Sequence, residues 1–253
     1  MYIPSLPAGR EVGPIRRYWP PRSIVRDLAL AAIVSMGLCL AVYAVLPVPP
    51  TLPGVALLLV LAGVGVLAIT AHHLPAAGLG AANRVTLGRA VLASPVLALV
   101  PFPEALTDTG RWLVVPLAGL VLALDGVDGW VARRTGTASG FGARFDMELD
   151  ALLLLGLSVL VWQAGQVGVW VLLIGGMRYA FVAAAWLLPW MQQPLPPSFR
   201  RKTACVVQGV VLAAILAPLV PGWLATVAAA AALIFLAGSF AADIHWLSLA
   251  RSR

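Results

Sequence analysis

Four aspartates, Asp125, Asp128, Asp146 and Asp150, lie between apolar runs at residues 113–124 and 151–161. A charged side chain deep in a bilayer costs roughly 2.5–3.5 kcal/mol on insertion scales, so carboxylates in such a setting normally serve a function. Their spacing is helical. Asp125, Asp128, Gly129 and Ala132 fall at i, i+3, i+4 and i+7, and Gly142, Asp146 and Asp150 at i, i+4 and i+8, so each set occupies one face. The segment between them carries Arg133, Arg134, Gly136, Ser139 and Gly140 and reads as a cytosolic turn. Two helices joined by that turn run antiparallel, which lets their carboxylate faces meet near the membrane surface. Four hard oxygen donors, with no thiolate or imidazole nearby, suit Mg²⁺ or Mn²⁺ better than zinc. Two such ions could bridge a diphosphate and stabilise charge on a leaving phosphate. The small residues Gly129, Ala132 and Gly142 would admit a nucleotide close to the backbone, and Arg133 could pair with a phosphate oxygen.

The pattern D-x2-D-G-x2-A-R-x8-G-x3-D-x3-D is met at every fixed position, by Asp125, Asp128, Gly129, Ala132, Arg133, Gly142, Asp146 and Asp150. It resembles the CDP-alcohol phosphotransferase family, integral membrane enzymes that make phospholipid head groups. Two further elements are similar to parts of that family. Asn83, Thr86 and Arg89 form an N-x2-T-x2-R element like the start of its first core helix, beside the nucleotide site. Arg200, Arg201, Lys202, Thr203 and Gln208 form an R-R-K-T-x4-Q element like the basic entry to its fifth core helix.

The resemblance implies transfer of a phosphatidyl group from CDP-diacylglycerol to an alcohol, with release of CMP. It implies that Asp125, Asp128, Asp146 and Asp150 hold two metal ions and that Asp150 also acts as general base. Gly129, Ala132, Arg133, Gly142, Asn83 and Thr86 would line the CDP site, and a homodimer is expected. Arg178, inside an apolar run, could pair with an aspartate or bind the acceptor. With Arg200, Arg201 and Lys202 it favours a phosphorylated acceptor, such as glycerol 3-phosphate or inositol phosphate, over serine or another unphosphorylated alcohol. Glu148 is turned about 200° from both Asp146 and Asp150 at roughly 100° per residue, so it points away from the metal face. A cation transporter is the competing class. It would want acidic groups near mid-membrane and broken helices, whereas these aspartates cluster at one end.

The elements that must position these groups are apolar helices. The chain has 253 residues, 61% of them hydrophobic and only 11% charged, with a mean hydropathy of +0.94. This excludes an ordinary soluble domain. The net charge is +7, and Lys202 is the one lysine. Because the arginines sit at the ends of apolar runs, an anionic lipid surface is the expected partner and nucleic acid is not. Cys39 and Cys205 lie in apolar segments and read as free thiols. The expected fold is an all-α integral membrane protein of about eight transmembrane helices, a six-helix core preceded by two additional ones. The spans are 27–46, 54–70, 80–102, 112–131, 141–164, 169–190, 203–219 and 223–247. The corresponding division is a polar tail over 1–26, two extra helices over 27–77 and the core over 78–253. His72 and His73 point to different sides and read as an interfacial turn. The leading polar segment is long for a signal peptide, which favours an uncleaved anchor. Loop arginines place both termini and the aspartates in the cytosol by the positive-inside rule, and composition suggests a bacterial inner membrane.

Overall fold

In the computed structural model of the chain, the described residues are 22–69, 78–135, 139–193, 195–196 and 198–250, with the side chains at 64–69, 128, 130–133, 135 and 250 excepted. The tail over 1–21, the His72–His73 pair and the side chains of Asp128, Ala132 and Arg133 lie outside the described ones. Eight α-helices follow in order: α1 (Arg22–Val45), α2 (Leu52–Ile69), α3 (Gly80–Ala98), α4 (Asp108–Thr135), α5 (Gly140–Gln163), α6 (Leu172–Leu187), α7 (Phe199–Ile215) and α8 (Gly222–Ala250). Among the described residues there is no strand. Among the described residues four stretches are long and apolar enough to cross a membrane on their own: Arg22–Val45, Asp108–Val127, Val169–Leu187 and Gly222–Leu249. The expectation of eight such spans is met by eight helices, four of which qualify over those residues; in α2 the described side chains end at Gly63. For the other three the reason is local. The leading turns of α3, α5 and α7 carry the charged residues, Arg84 and Arg89, then Arg144, Asp146, Glu148 and Asp150, then Arg200, Arg201 and Lys202.

Short connections turn successive helices antiparallel, and cross-links at both ends agree. At one end the start of α1 meets the start of α3, where Arg84 Nε donates to Asp27 Oδ2 at 2.7 Å. At the other end Gln163 Nε2, closing α5, donates to Val100 O at 2.9 Å. There too, Arg111 at the start of α4 donates through Nε to Leu216 O at 2.8 Å, a carbonyl just past the end of α7. It serves as a buried clamp on carbonyls that a helix terminus leaves without donors.

The core is aliphatic, with Val96, Leu99, Leu153, Leu157, Leu160, Leu212 and Leu216 fully buried. Helices of a membrane bundle approach closely where one of them carries a small residue. Gly175 of α6 lies against the backbone of Leu155 in α5, where a Cβ would collide with main-chain atoms. Pro95 removes one N–H from α3, and the hydroxyl of Ser94 donates to Val91 O at 2.7 Å, the carbonyl that loses its helical donor. Gly175→Val is therefore expected to lower the thermal midpoint in detergent by the equivalent of about 1–3 kcal/mol, the usual cost of overpacking. Gly176→Val, whose added Cβ meets nothing within 4 Å, is the control and should leave the midpoint nearly unchanged.

Candidate metal and nucleotide site

The site begins with the Ser139 cap. Its side chain accepts from Gly142 N at 3.0 Å and fixes the first turn of α5. Asp146 and Asp150 then follow one and two turns along the same face. The last turns of α4 bring Asp125 opposite them. One carboxylate oxygen from each of Asp125, Asp146 and Asp150 lies within 4.8 Å of the others.

The group that holds the three together is Arg89 of α3, whose side chain is wholly buried. Its Nη1 pairs with Asp125 Oδ1 at 2.9 Å and with Asp146 Oδ1. Its Nη2 pairs with Asp150 Oδ1 at 2.6 Å, and its Nε donates to Val121 O at 3.2 Å. Val121 lies one turn before Asp125, so this arginine ties α3 to the very turn of α4 that carries the aspartate. Three carboxylates against one guanidinium leave a formal charge of −2 (−3 + 1 = −2). A hard divalent cation matches that charge and those oxygen donors. The donor set therefore fits Mg²⁺ or Mn²⁺.

Asn83 and Thr86 stand on the same arc of α3 as Arg89, and all three are buried. Gly142 packs directly against the Asn83 amide: a Cβ there would collide with Asn83 Oδ1. Asn83, Thr86, Gly142 and the three aspartates thus gather where α3, α4 and α5 meet. Gly129 lies half-buried in α4, one turn beyond Asp125.

Three placements differ from the sequence expectation. Arg178 reaches neither an aspartate nor the carboxylate cluster; its Nη2 pairs with Glu148 on α5, and its Nη1 contacts Met147 Sδ at 3.1 Å. Glu148 does point away from the metal face, and that direction is the one that faces α6. Arg200 and Arg201 both pair with Asp243 of α8, while Lys202 is exposed. Finally, a thiol does stand near the carboxylates: Cys205 Sγ, from α7, lies 3.8 Å from Asp150 Oδ2 and donates to it. It is a protonated neighbour of the site and not one of the three grouped ligands.

Residues 79–238 match the CDP-alcohol phosphatidyltransferase family model, well over half of the chain. The chain belongs to this family. No curated protein and no solved structure matches it. Membership implies phosphatidyl transfer from a CDP-alcohol to an alcohol acceptor. Helices α1 and α2 precede the matched residues, and Asp243 follows them.

Sequence reasoning had placed Arg89 on the Asn83–Thr86 arc without giving it a role. The signal was there: a fully buried cation requires counter-charges, and the aspartates were the charges on offer. Arg89→Met should leave those carboxylates uncompensated and cost on the order of 3–5 kcal/mol of stability in chelator. Added Mn²⁺ should recover most of that loss, in contrast to a small metal effect on the parent. Thermal unfolding with and without EDTA measures both, and equal midpoints in EDTA would refute the counter-ion role.

Proposed function

We propose that the chain transfers a phosphatidyl group from CDP-diacylglycerol to a small alcohol, most suitably glycerol 3-phosphate or inositol phosphate, and releases CMP. The observation that carries this is the convergence of Asp125, Asp146 and Asp150 on one buried arginine in a chain of this family. Asp125, Asp128, Asp146 and Asp150 would hold two divalent ions, Mg²⁺ or Mn²⁺. Such ions supply charge neutralisation of the diphosphate and its leaving group.

The chain's own groups account for the rest. Asp150 Oδ1 is held by Arg89, whereas Oδ2 accepts only the weak thiol hydrogen bond of Cys205 and is the oxygen to take a proton. The acceptor hydroxyl gives that proton to Asp150 as its oxygen attacks the phosphorus that bears the lipid. The bond from that phosphorus to the bridging oxygen breaks, and CMP departs with both bonding electrons. Asn83, Thr86, Gly129, Ala132, Arg133 and Gly142 would line the CDP pocket. The Asn83–Gly142 contact supports this, since it brings two of these residues from separate helices together.

In this reading all eight helices lie in the membrane, the site and both termini face the cytosol of a bacterial inner membrane, and two copies form a homodimer. Loop arginines support the sidedness. The acidic groups stand at one end of the bundle, which separates this reading from an ion pathway through its middle. An unphosphorylated acceptor, such as serine, is a second reading. It is favoured by the pairing of Arg178 with Glu148, which leaves that arginine engaged away from the site.

The test is CMP release from CDP-diacylglycerol by the purified chain in lipid, with Mg²⁺ or Mn²⁺, across glycerol 3-phosphate, inositol phosphate, inositol, serine and choline. Release with one acceptor is expected. Asp150→Asn should lower it by about 10²–10⁴-fold, the span typical of a lost general base. Release that persists undiminished in this variant would remove Asp150 from the role of base.

A further inference from the structure

At the start of α7 two adjacent arginines share one acid on α8. Arg200 Nη2 pairs with Asp243 Oδ1, and Arg201 Nη1 pairs with the same oxygen at 3.1 Å. Arg200 Nη1 also donates to Ser239 O at 2.7 Å and to Gly238 O at 3.5 Å, while Arg201 Nη2 donates to Pro196 O. The exposures are unequal. Asp243 has a side chain only 7% exposed, whereas those of Arg200 and Arg201 are 35% and 30% exposed. The acid is thus buried behind the two bases, which keep an open side.

This arrangement runs against helix electrostatics. Arg200, Arg201 and Lys202 occupy the first turn of α7, where the positive end of the macrodipole disfavours cations. One carboxylate against two guanidiniums leaves a formal charge of +1 (+2 − 1 = +1) before Lys202 is counted. Helix geometry also sets where this charge stands. Arg201 and Cys205 are i and i+4 on one face of α7. Cys205 Sγ is 3.8 Å from Asp150 Oδ2, so Arg201 lies about 6 Å along the axis, one turn further out, from the contact with the proposed base.

We propose that Asp243 is a positioning residue that holds Arg200 and Arg201 as an aimed, incompletely neutralised pair for the phosphate of the acceptor. Asp243 with the Ser239 and Gly238 carbonyls holds the Arg200 fork, so the partly exposed guanidiniums meet a ligand without the entropy loss of ordering two free side chains. The inference deepens the phosphorylated-acceptor reading and rests on it.

The experiment measures kcat and KM for glycerol 3-phosphate, and KM for CDP-diacylglycerol, with the full-length protein in lipid. Asp243→Asn should raise the glycerol 3-phosphate KM at least tenfold, with kcat and the donor KM changed less than threefold. Asp243→Glu, which keeps the charge, should bring the rise below threefold. Arg200→Lys keeps the cation but loses the fork, and it should raise the same KM about tenfold, so it decides the matter if Asp243→Asn does not fold. An unchanged acceptor KM in Asp243→Asn or Arg200→Lys, beside a raised KM in Arg201→Gln, overturns the positioning role and leaves the acceptor reading standing. Turnover with glycerol or serine but not with glycerol 3-phosphate overturns the acceptor reading, and this proposal with it.

Discussion

A single buried guanidinium holds the functional end of this protein together. Arg89 reaches from α3 to Asp125 on α4 and to Asp146 and Asp150 on α5, and its Nε is anchored on the α4 backbone. Three carboxylates brought this close would repel one another, and in a water-poor setting that repulsion is poorly screened. The arginine offsets part of it and leaves a formal charge of −2 among these four groups. The helix ends can therefore assemble without a bound cation while the site retains an attraction for one. A neutral residue at position 89 would give up the first property, and a second arginine beside it would halve the charge behind the second (−2 + 1 = −1).

Assembly also depends on where side chains are absent. Gly142 lets α5 reach Asn83 on α3, and Gly175 lets α6 rest on the α5 backbone. Gly209 of α7 lies against the Leu122 side chain, one residue beyond the carbonyl that Arg89 holds. The Gly142 and Gly209 contacts set helix separations within about one turn of Asp146 and Asp125. The hydrophobic effect does little to draw helices together in lipid, so such close packing and the buried ion pairs must supply the register.

The helices and the aspartate faces were legible because both follow simple periods. Apolar runs of nearly twenty residues gave the eight helices in order, and i, i+4, i+8 spacing gave the α5 face. What could not be read was pairing across helices. Arg178 was visible as an arginine in an apolar run, yet its partner depended on the rotation of α5 against α6, which turns Glu148 toward it. Asp243 carried a signal of its own, an acid inside an apolar helix. Only the fold shows that it meets α7. Cys205 looked like a buried thiol, but it is only half-buried, and the face of α7 that it shares with Arg201 meets Asp150. Hydropathy alone also did not mark which helices carry charge in their leading turns. The charged turns of α3, α5 and α7 are part of those helices, as are the three basic residues ahead of the expected start of α7.

The two ends of the bundle are built with different interactions. At the far end the ties run largely from side chain to backbone: Arg111 to Leu216 O and Ala217 O, and Gln163 to Val100 O. The acceptors there are carbonyls that carry no net charge, and the one ion pair at that end among the described residues is the long Arg111–Asp108 contact at 3.7 Å. At the carboxylate end the ties are ion pairs: Asp27 with Arg84, Arg89 with three aspartates, Arg178 with Glu148, and Asp243 with two arginines. Each is open to competition from a cation or a phosphate. A divalent ion held by Asp125, Asp146 and Asp150 would share with Arg89 the carboxylates that it pairs with. The bundle is thus tied largely through backbone carbonyls at the end away from the carboxylate cluster, and largely through ion pairs at the end that carries it.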